Sequence, residues 1–143
     1  MLIGINPLLN PDVLHALAAM GHGDTLAIVD SNFPAFSVAS STVYQKPLKI
    51  DCPMPQALEA ILSLLPIDEF VDDPVNSMQV VGRPDEIPEV IAEAAQILKP
   101  QQVNITSLER FAFYKAAKQS FVIIQTTETR IYANLIISKG VIS

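Results

Sequence analysis

One cysteine among 143 residues, Cys52, leaves nothing for an intrachain disulfide to join, and two histidines are too few for a cluster at metal-ligand spacing. No metal site is therefore expected. Basic residues are also scarce: nine Lys and Arg stand against fifteen Asp and Glu, a formal net charge of -6, and neither basic type forms a run. Such a chain repels a polyphosphate backbone, so nucleic acid is not an expected partner. No apolar run approaches the roughly 18 residues that cross a bilayer, and the first residues lack the basic region and small-residue cleavage site of a secretory signal. The expectation is a cytoplasmic protein with no membrane partner. The five glycines lie apart, at positions 4, 21, 23, 82 and 140, so there is no Gly-rich phosphate loop and no nucleotide cofactor is expected.

What the chain does have is apolar mass. Half of its residues are hydrophobic, enough at this length for one compact domain over residues 1–143 with a substantial core. Only 17% are charged and the mean hydropathy is +0.34. A small monomer is usually better decorated with charge, so part of the apolar surface is expected to be buried between subunits of a homo-oligomer. A core-rich monomer is the alternative.

Asn10 followed by Pro11 has the form of an N-cap and a first-turn proline, and Val13, Leu14, Leu17 and Met20 recur near helical spacing. Leu26 to Val29 is a continuous apolar run, as in a strand covered on both faces, and Asp30 ends it. Ser31 to Tyr44 reads as a long irregular connection. A second helix is predicted from about Pro55 to Leu65, stopped by Pro66. Ser77 to Val81 is a candidate strand. Glu86 to Leu98 reads as a helix with Ile87, Val90, Ile91, Ala94, Ile97 and Leu98 inward. Val103 to Thr106 is a short strand, after which Ser107 could cap a helix through Leu108, Phe111, Tyr114 and Ala117. Ser120 to Thr126 and Ile131 to Ile137 flank a short polar turn and suggest a hairpin. Strands alternating with helices favour an α/β fold: three α/β/α layers, a mixed sheet and a C-terminal hairpin.

The chemistry gathers at element ends. His22 lies between Gly21 and Gly23, at the opposite end from Asp30 of one short strand. A histidine can both give and take a proton near neutral pH, and flanking glycines let a ligand approach closely. The alternative is a helix C-cap at Gly21 followed by an ordinary turn. Asp30 sits at the carboxyl end of its strand, where open α/β sheets form ligand crevices. With Asp68, Arg110, Tyr114, Tyr132 and Asn134 it makes a set of two carboxylates, one guanidinium, one amide and two phenols. Such groups suit a neutral polyol, since carboxylates accept from sugar hydroxyls while Arg and Asn donate to them. Each also has a plain structural reading as a turn residue, a solvated helix arginine or a half-buried aromatic. Tyr132 and Asn134, two apart in the predicted last strand, should share a face.

The run Ala19, Met20, Gly21, His22, Gly23, Asp24, then Asp30 to Pro34, then Arg110, Phe111, Ala112, Phe113, Tyr114, and finally Tyr132, Ala133, Asn134 before Lys139, Gly140, Val141 resembles the fucose mutarotase and ribose pyranase family. The resemblance covers nearly the whole chain. It implies a cofactor-free isomerase that interconverts the anomers or ring forms of a free monosaccharide. It puts His22 at the family's proton-donor position and Tyr114 at a site tyrosine of fucose-type members. Asp30, Arg110, Tyr132, Ala133 and Asn134 fall at sugar-binding positions, and Asp68 matches a carboxylate that follows a Leu-Pro-rich helix end. Arg110 and the Phe-Ala-Phe-Tyr run favour L-fucose; D-ribose ring interconversion and a non-catalytic sugar-binding module are the alternatives. Thr127 replaces a glycine usual in fucose-type members, and Ala133 is more typical of the ribose branch. The resemblance also implies a decameric ring with a site completed near a subunit boundary.

Overall fold

The computed structural model describes all of residues 1–143. The first helix, α1 (Pro11–Ala19), starts as its sequence dictates: the Asn10 side chain accepts a hydrogen bond from the Val13 N–H at 3.0 Å, and Pro11 occupies the first turn. It ends at Met20, so Gly21 is not its C-cap; Gly23 instead takes a left-handed conformation (φ 84°) in the turn that leads into β1 (Thr25–Val29). There follow α2 (Ala35–Ala39), β2 (Leu48–Lys49), α3 (Met54–Leu62), β3 (Val75–Met78), α4 (Glu89–Leu98), β4 (Thr106–Leu108), α5 (Arg110–Lys118), β5 (Val122–Gln125) and β6 (Leu135–Ser138).

The strands form one sheet in the order β2-β5-β1-β6-β3-β4. Every neighbouring pair is parallel except those made by β6, which runs antiparallel to β1 on one side and to β3 on the other. The β1 side chains alternate between two cores. Leu26 and Ile28 pack with α1, α3 and α4 on one face; Ala27 and Val29 pack with α2 and α5 on the other. The molecule is therefore a single α/β domain of three layers. No helix is long and apolar enough to cross a membrane.

The departures from the sequence reading are local. The two C-terminal strands do not form a hairpin: β1 lies between them, parallel to β5 and antiparallel to β6. Residues 126–134 are long enough to step over it, a distance of about 10 Å or two inter-strand spacings. The predicted irregular stretch contains the short helix α2, whose Ala35, Val38 and Ala39 are buried against the sheet. α4 begins only after Pro88, leaving Ile87 outside it and exposed. Ser107 belongs to β4, and α5 is capped by Glu109, whose carboxylate accepts from the Phe111 and Ala112 N–H groups. β3 lies two residues earlier than read, and β4 three later.

Candidate active site

The carboxyl end of β1 opens into a cleft of about 230 Å³ lined by Asp30, Asn32, Phe33, Met78, Arg110, Tyr114, Ile131, Tyr132 and Asn134. Asp30 is its most constrained member, only 3% exposed. One carboxylate oxygen accepts from the Asn32 N–H (2.9 Å) and the other from the Ala133 N–H (3.2 Å), while the Asp30 N–H donates to Oδ1 of Asn134 (2.9 Å). Burial pushes the Asp30 carboxyl up from its ordinary range; the bonds from Asn32, Ala133, Phe33 and Asn134 oppose that shift. A buried Asn needs a partner, and Asn134 meets this need by fastening the 126–134 loop onto the end of β1.

Tyr132 and Asn134 are not strand residues that share a face; both lie in the loop before β6, and Tyr132 holds a left-handed φ of 61°. A tyrosine seldom adopts that conformation, which marks the loop as over-determined by its surroundings. It carries the ring into the cleft, where the phenolic oxygen accepts from the Val81 N–H at 3.2 Å and keeps its own proton to donate. Ala133 between them is wholly buried. It acts on the cleft only through its N–H to Asp30.

Arg110 is the first residue of α5, an electrostatically poor place for a cation because helix dipoles favour negative charge there. Its guanidinium carbon sits 4.7 Å from the centroid of the Phe111 ring, and its Nε is buried with no hydrogen-bond partner. One turn along, Tyr114 lines the same cleft with its ring against Phe33, centroids 5.5 Å apart. Arg110 thus brings a guanidinium with no acceptor in its own chain to the cleft that Asp30 also lines.

The short polar turn before β6 holds a charged brace. Glu128, 3% exposed, receives Nε and Nη2 of Arg130 at 3.0 Å each and the N–H of Met54 at 3.3 Å; Arg130 also reaches Glu93 of α4 at 2.9 Å. The Arg130 fork above all pulls the Glu128 carboxyl down to about 2. Opposite charges two residues apart in a turn were the available signal.

His22 and Asp68 come together elsewhere. His22 Nε2 is 3.1 Å from Oδ1 of Asp68, with His22 46% exposed and Asp68 3% exposed. The Phe70 N–H is the main cause holding the Asp68 carboxyl below its ordinary range; His22 adds to this against the cost of burial. An ionised carboxylate can only accept, so this contact assigns a proton to Nε2 and leaves Nδ1 without a partner in the chain. The Phe70 ring leans on the imidazole at 5.4 Å, and Phe70 itself is largely exposed.

The structure thus splits the predicted set in two. Asp30, Arg110, Tyr114, Tyr132 and Asn134 meet in the cleft; His22 and Asp68 meet before β1 and beside the end of β6, where the Asp68 N–H donates to the Ser138 carbonyl. The five residues of β1 put roughly 17 Å between the two ends, at 3.3–3.4 Å per residue. No imidazole reaches its own cleft across that span. No group of three or more His, Cys, Asp and Glu side chains is placed to hold a metal ion.

Residues 3–142 match the RbsD / FucU transport protein family. The chain is 39% identical to the fucose mutarotase of Homo sapiens over 148 residues, which covers 98% of this chain and 94% of that protein. Its fold superposes on the crystal structure of FucU from Bifidobacterium longum with a TM-score of 0.89 at 36% identity, covering 98% of this chain and 99% of the other. It superposes on the fucose mutarotase of Streptococcus pneumoniae, solved in complex with L-fucose, with a TM-score of 0.86 at 35% identity, covering 99% and 100%.

Proposed function

Since this chain belongs to the RbsD / FucU transport protein family, we propose that it is a cofactor-free monosaccharide mutarotase acting on L-fucose. The observation that carries the reading is one small cleft lined by both Arg110, whose buried Nε has no protein partner, and the fixed Asp30 carboxylate. Together they offer a donor and an acceptor to adjacent hydroxyls, with Asn134 and Tyr132 beside them. The full-length likeness to fucose mutarotases supports the choice of sugar.

Mutarotation takes a proton from the anomeric hydroxyl while another reaches the ring oxygen, and the opened chain then closes on the other face. In this reading Asp30, Arg110, Tyr132 and Asn134 hold the hydroxyls, and Ala133 keeps Asp30 in place. Nδ1 of His22 exchanges the anomeric proton while Asp68 orients the ring, and Tyr114 or a water serves the opposite oxygen. General acid–base help of this kind is worth roughly 10²- to 10⁴-fold, enough to matter for a reaction that already runs in water.

Because His22 and the cleft lie at opposite ends of β1, the working site takes its imidazole from a neighbouring copy. Exposed Phe70 and Val71 flank the His22 end, and exposed Phe111 and Ile131 flank the cleft, so both ends carry apolar surface to cover. Contact between two different ends is heterologous, the kind of contact that forms a ring when its rotation closes. The family resemblance implies a decamer for that ring.

Saturation-transfer NMR of anomer exchange on L-fucose and D-ribose tests the activity, and subunit mixing tests the sharing. At L-fucose concentrations well below the wild-type KM, His22→Ala and Arg110→Gln proteins are each expected to retain only a few per cent of wild-type turnover or less. Equal amounts exchanged into mixed rings should recover about a quarter of wild-type turnover, because one junction in four pairs an intact cleft with an intact imidazole. No recovery on mixing would sink the shared site. Faster exchange on D-ribose than on L-fucose would overturn the sugar.

A further inference from the structure

His22 and Asp68 are 46 residues apart, and the imidazole is half-exposed with little side-chain packing of its own beyond Phe70. Its position is therefore set by the backbone that carries it. The segment 138–140, leaving β6, is bonded on both sides. Toward Asp68, the Asp68 N–H donates to the Ser138 carbonyl (2.9 Å) and the Gly140 N–H to the Pro66 carbonyl (2.8 Å). Toward His22, the Gly23 N–H donates to the Lys139 carbonyl (2.9 Å) and the Lys139 N–H to the Asp24 carbonyl (2.8 Å).

The Lys139 side chain adds the one long-range side-chain tie to the start of the His22 loop. Its Nζ donates to the carbonyls of Leu17 (3.0 Å) and Met20 (2.5 Å), at the end of α1. Those carbonyls lie in the last turn, where a cation is favoured by the helix dipole. The turn from Gly21 to Asp24 is thus gripped at its far end by the Lys139 backbone and at its near end by the Lys139 ammonium. Gly140 completes the clip: a Cβ there would stand 2.5 Å from the Ile67 carbonyl oxygen and 2.9 Å from the Asp68 Cα.

We propose that Lys139 is a positioning residue for the His22–Asp68 pair, its ammonium holding the end of α1 so that the Gly21–Asp24 turn delivers Nε2 of His22 to Asp68. This rests on the reading of His22 as the proton carrier. It adds a residue that touches neither the sugar nor the reacting atoms.

The test compares wild type with Lys139→Met, Lys139→Arg and Asp68→Asn as assembled proteins, with the ring ¹⁵N signals of His22 identified by their loss in His22→Ala. Lys139→Met should lower kcat for L-fucose anomer exchange about 10- to 100-fold with KM changed by less than about twofold, since the imidazole is misplaced while the cleft is untouched. Its His22 ¹⁵N pattern should shift from the Nε2–H tautomer toward the pattern of Asp68→Asn. Lys139→Arg, which keeps a cationic donor, should restore both. A wild-type ¹⁵N pattern in Lys139→Met, or a kcat loss that Arg does not rescue, overturns the proposal. If wild type itself fails to accelerate exchange, the acid–base reading falls, and the ¹⁵N pattern alone then decides the positioning. Should Lys139→Met not fold, Lys139→Gln is read in the same way.

Discussion

The two ends of β1 are built on opposite plans. At the carboxyl end Asp30 and Asn134 are almost wholly buried and bonded to one another's neighbourhood, and Glu128 braces the loop above them from equally deep burial. At the amino end His22 is half-exposed, with one polar side-chain partner, and its turn is held mainly by main-chain bonds. Burial with satisfied partners makes a rigid receptor, because moving any one group strands another without a bond. Exposure leaves a titratable ring available to something that is not part of its own chain. The contrast matches a division of labour between a cleft that holds and an imidazole that is offered elsewhere.

The sharpest break of that contrast is His22→Ala. It should lower L-fucose anomer exchange by roughly 10²- to 10⁴-fold while leaving the affinity for L-fucose, measured by calorimetry, within about twofold of wild type. Loss of binding in equal measure would show that the two ends do not divide the work.

Glu128→Gln tests whether the cleft end is held by charge. The Glu128 carboxyl sits near 2 in the folded chain against an ordinary 4.5, so its stabilisation is fully present above about pH 4.5 and is lost as pH falls toward 2. At about 1.4 kcal/mol per unit this is on the order of 3 kcal/mol at neutral pH. The variant should melt earlier at pH 7 and show a flatter fall in denaturant midpoint between pH 4.5 and 2. An unchanged acid limb would remove the brace from the account.

Arg110→Gln acts on the receptor alone. Losing one charge-assisted hydrogen bond, about 2 kcal/mol, should weaken L-fucose binding roughly thirtyfold and leave the His22 ring ¹⁵N pattern untouched. The smallest effect is expected of Asn10→Ala, which removes the α1 cap at a cost of about 1 kcal/mol in a thermal melt and should alter neither sugar affinity nor turnover. A fall in turnover there would mean that His22 is sensitive to α1 as a whole rather than to its last turn.

The parts legible in the sequence are those set by neighbours in the chain. Asn10 and Pro11 announced α1, the run Leu26–Val29 announced a two-sided strand, and Asp30 could be placed at its end from order alone. The hairpin was misread because the local pattern of two apolar strands about a polar turn is the same whether or not a third strand lies between them; only the non-local pairing of β1 with both decides it. Ser107 was preferred as a cap because hydroxyl caps are common, yet β4 claimed it for pairing with Ser77 and left the role to Glu109. The candidate site residues could be named one by one. His22 and Asp30 stand at opposite ends of one strand already in chain order, but placing Asp68 with one and Asn134 with the other needs the direction of β6, which no local pattern encodes.

That direction has a mechanical consequence. As the sheet's single reversed strand, β6 has Asn134 just before its start, bonded to Asp30, and Ser138 at its end, bonded to Asp68. Both halves of the site are therefore measured off one four-residue ruler. A slip of one residue in its pairing would turn every β6 side chain to the wrong core and dislodge the receptor and the imidazole in the same stroke. The two halves cannot drift apart singly: the tolerance of both is the tolerance of β6.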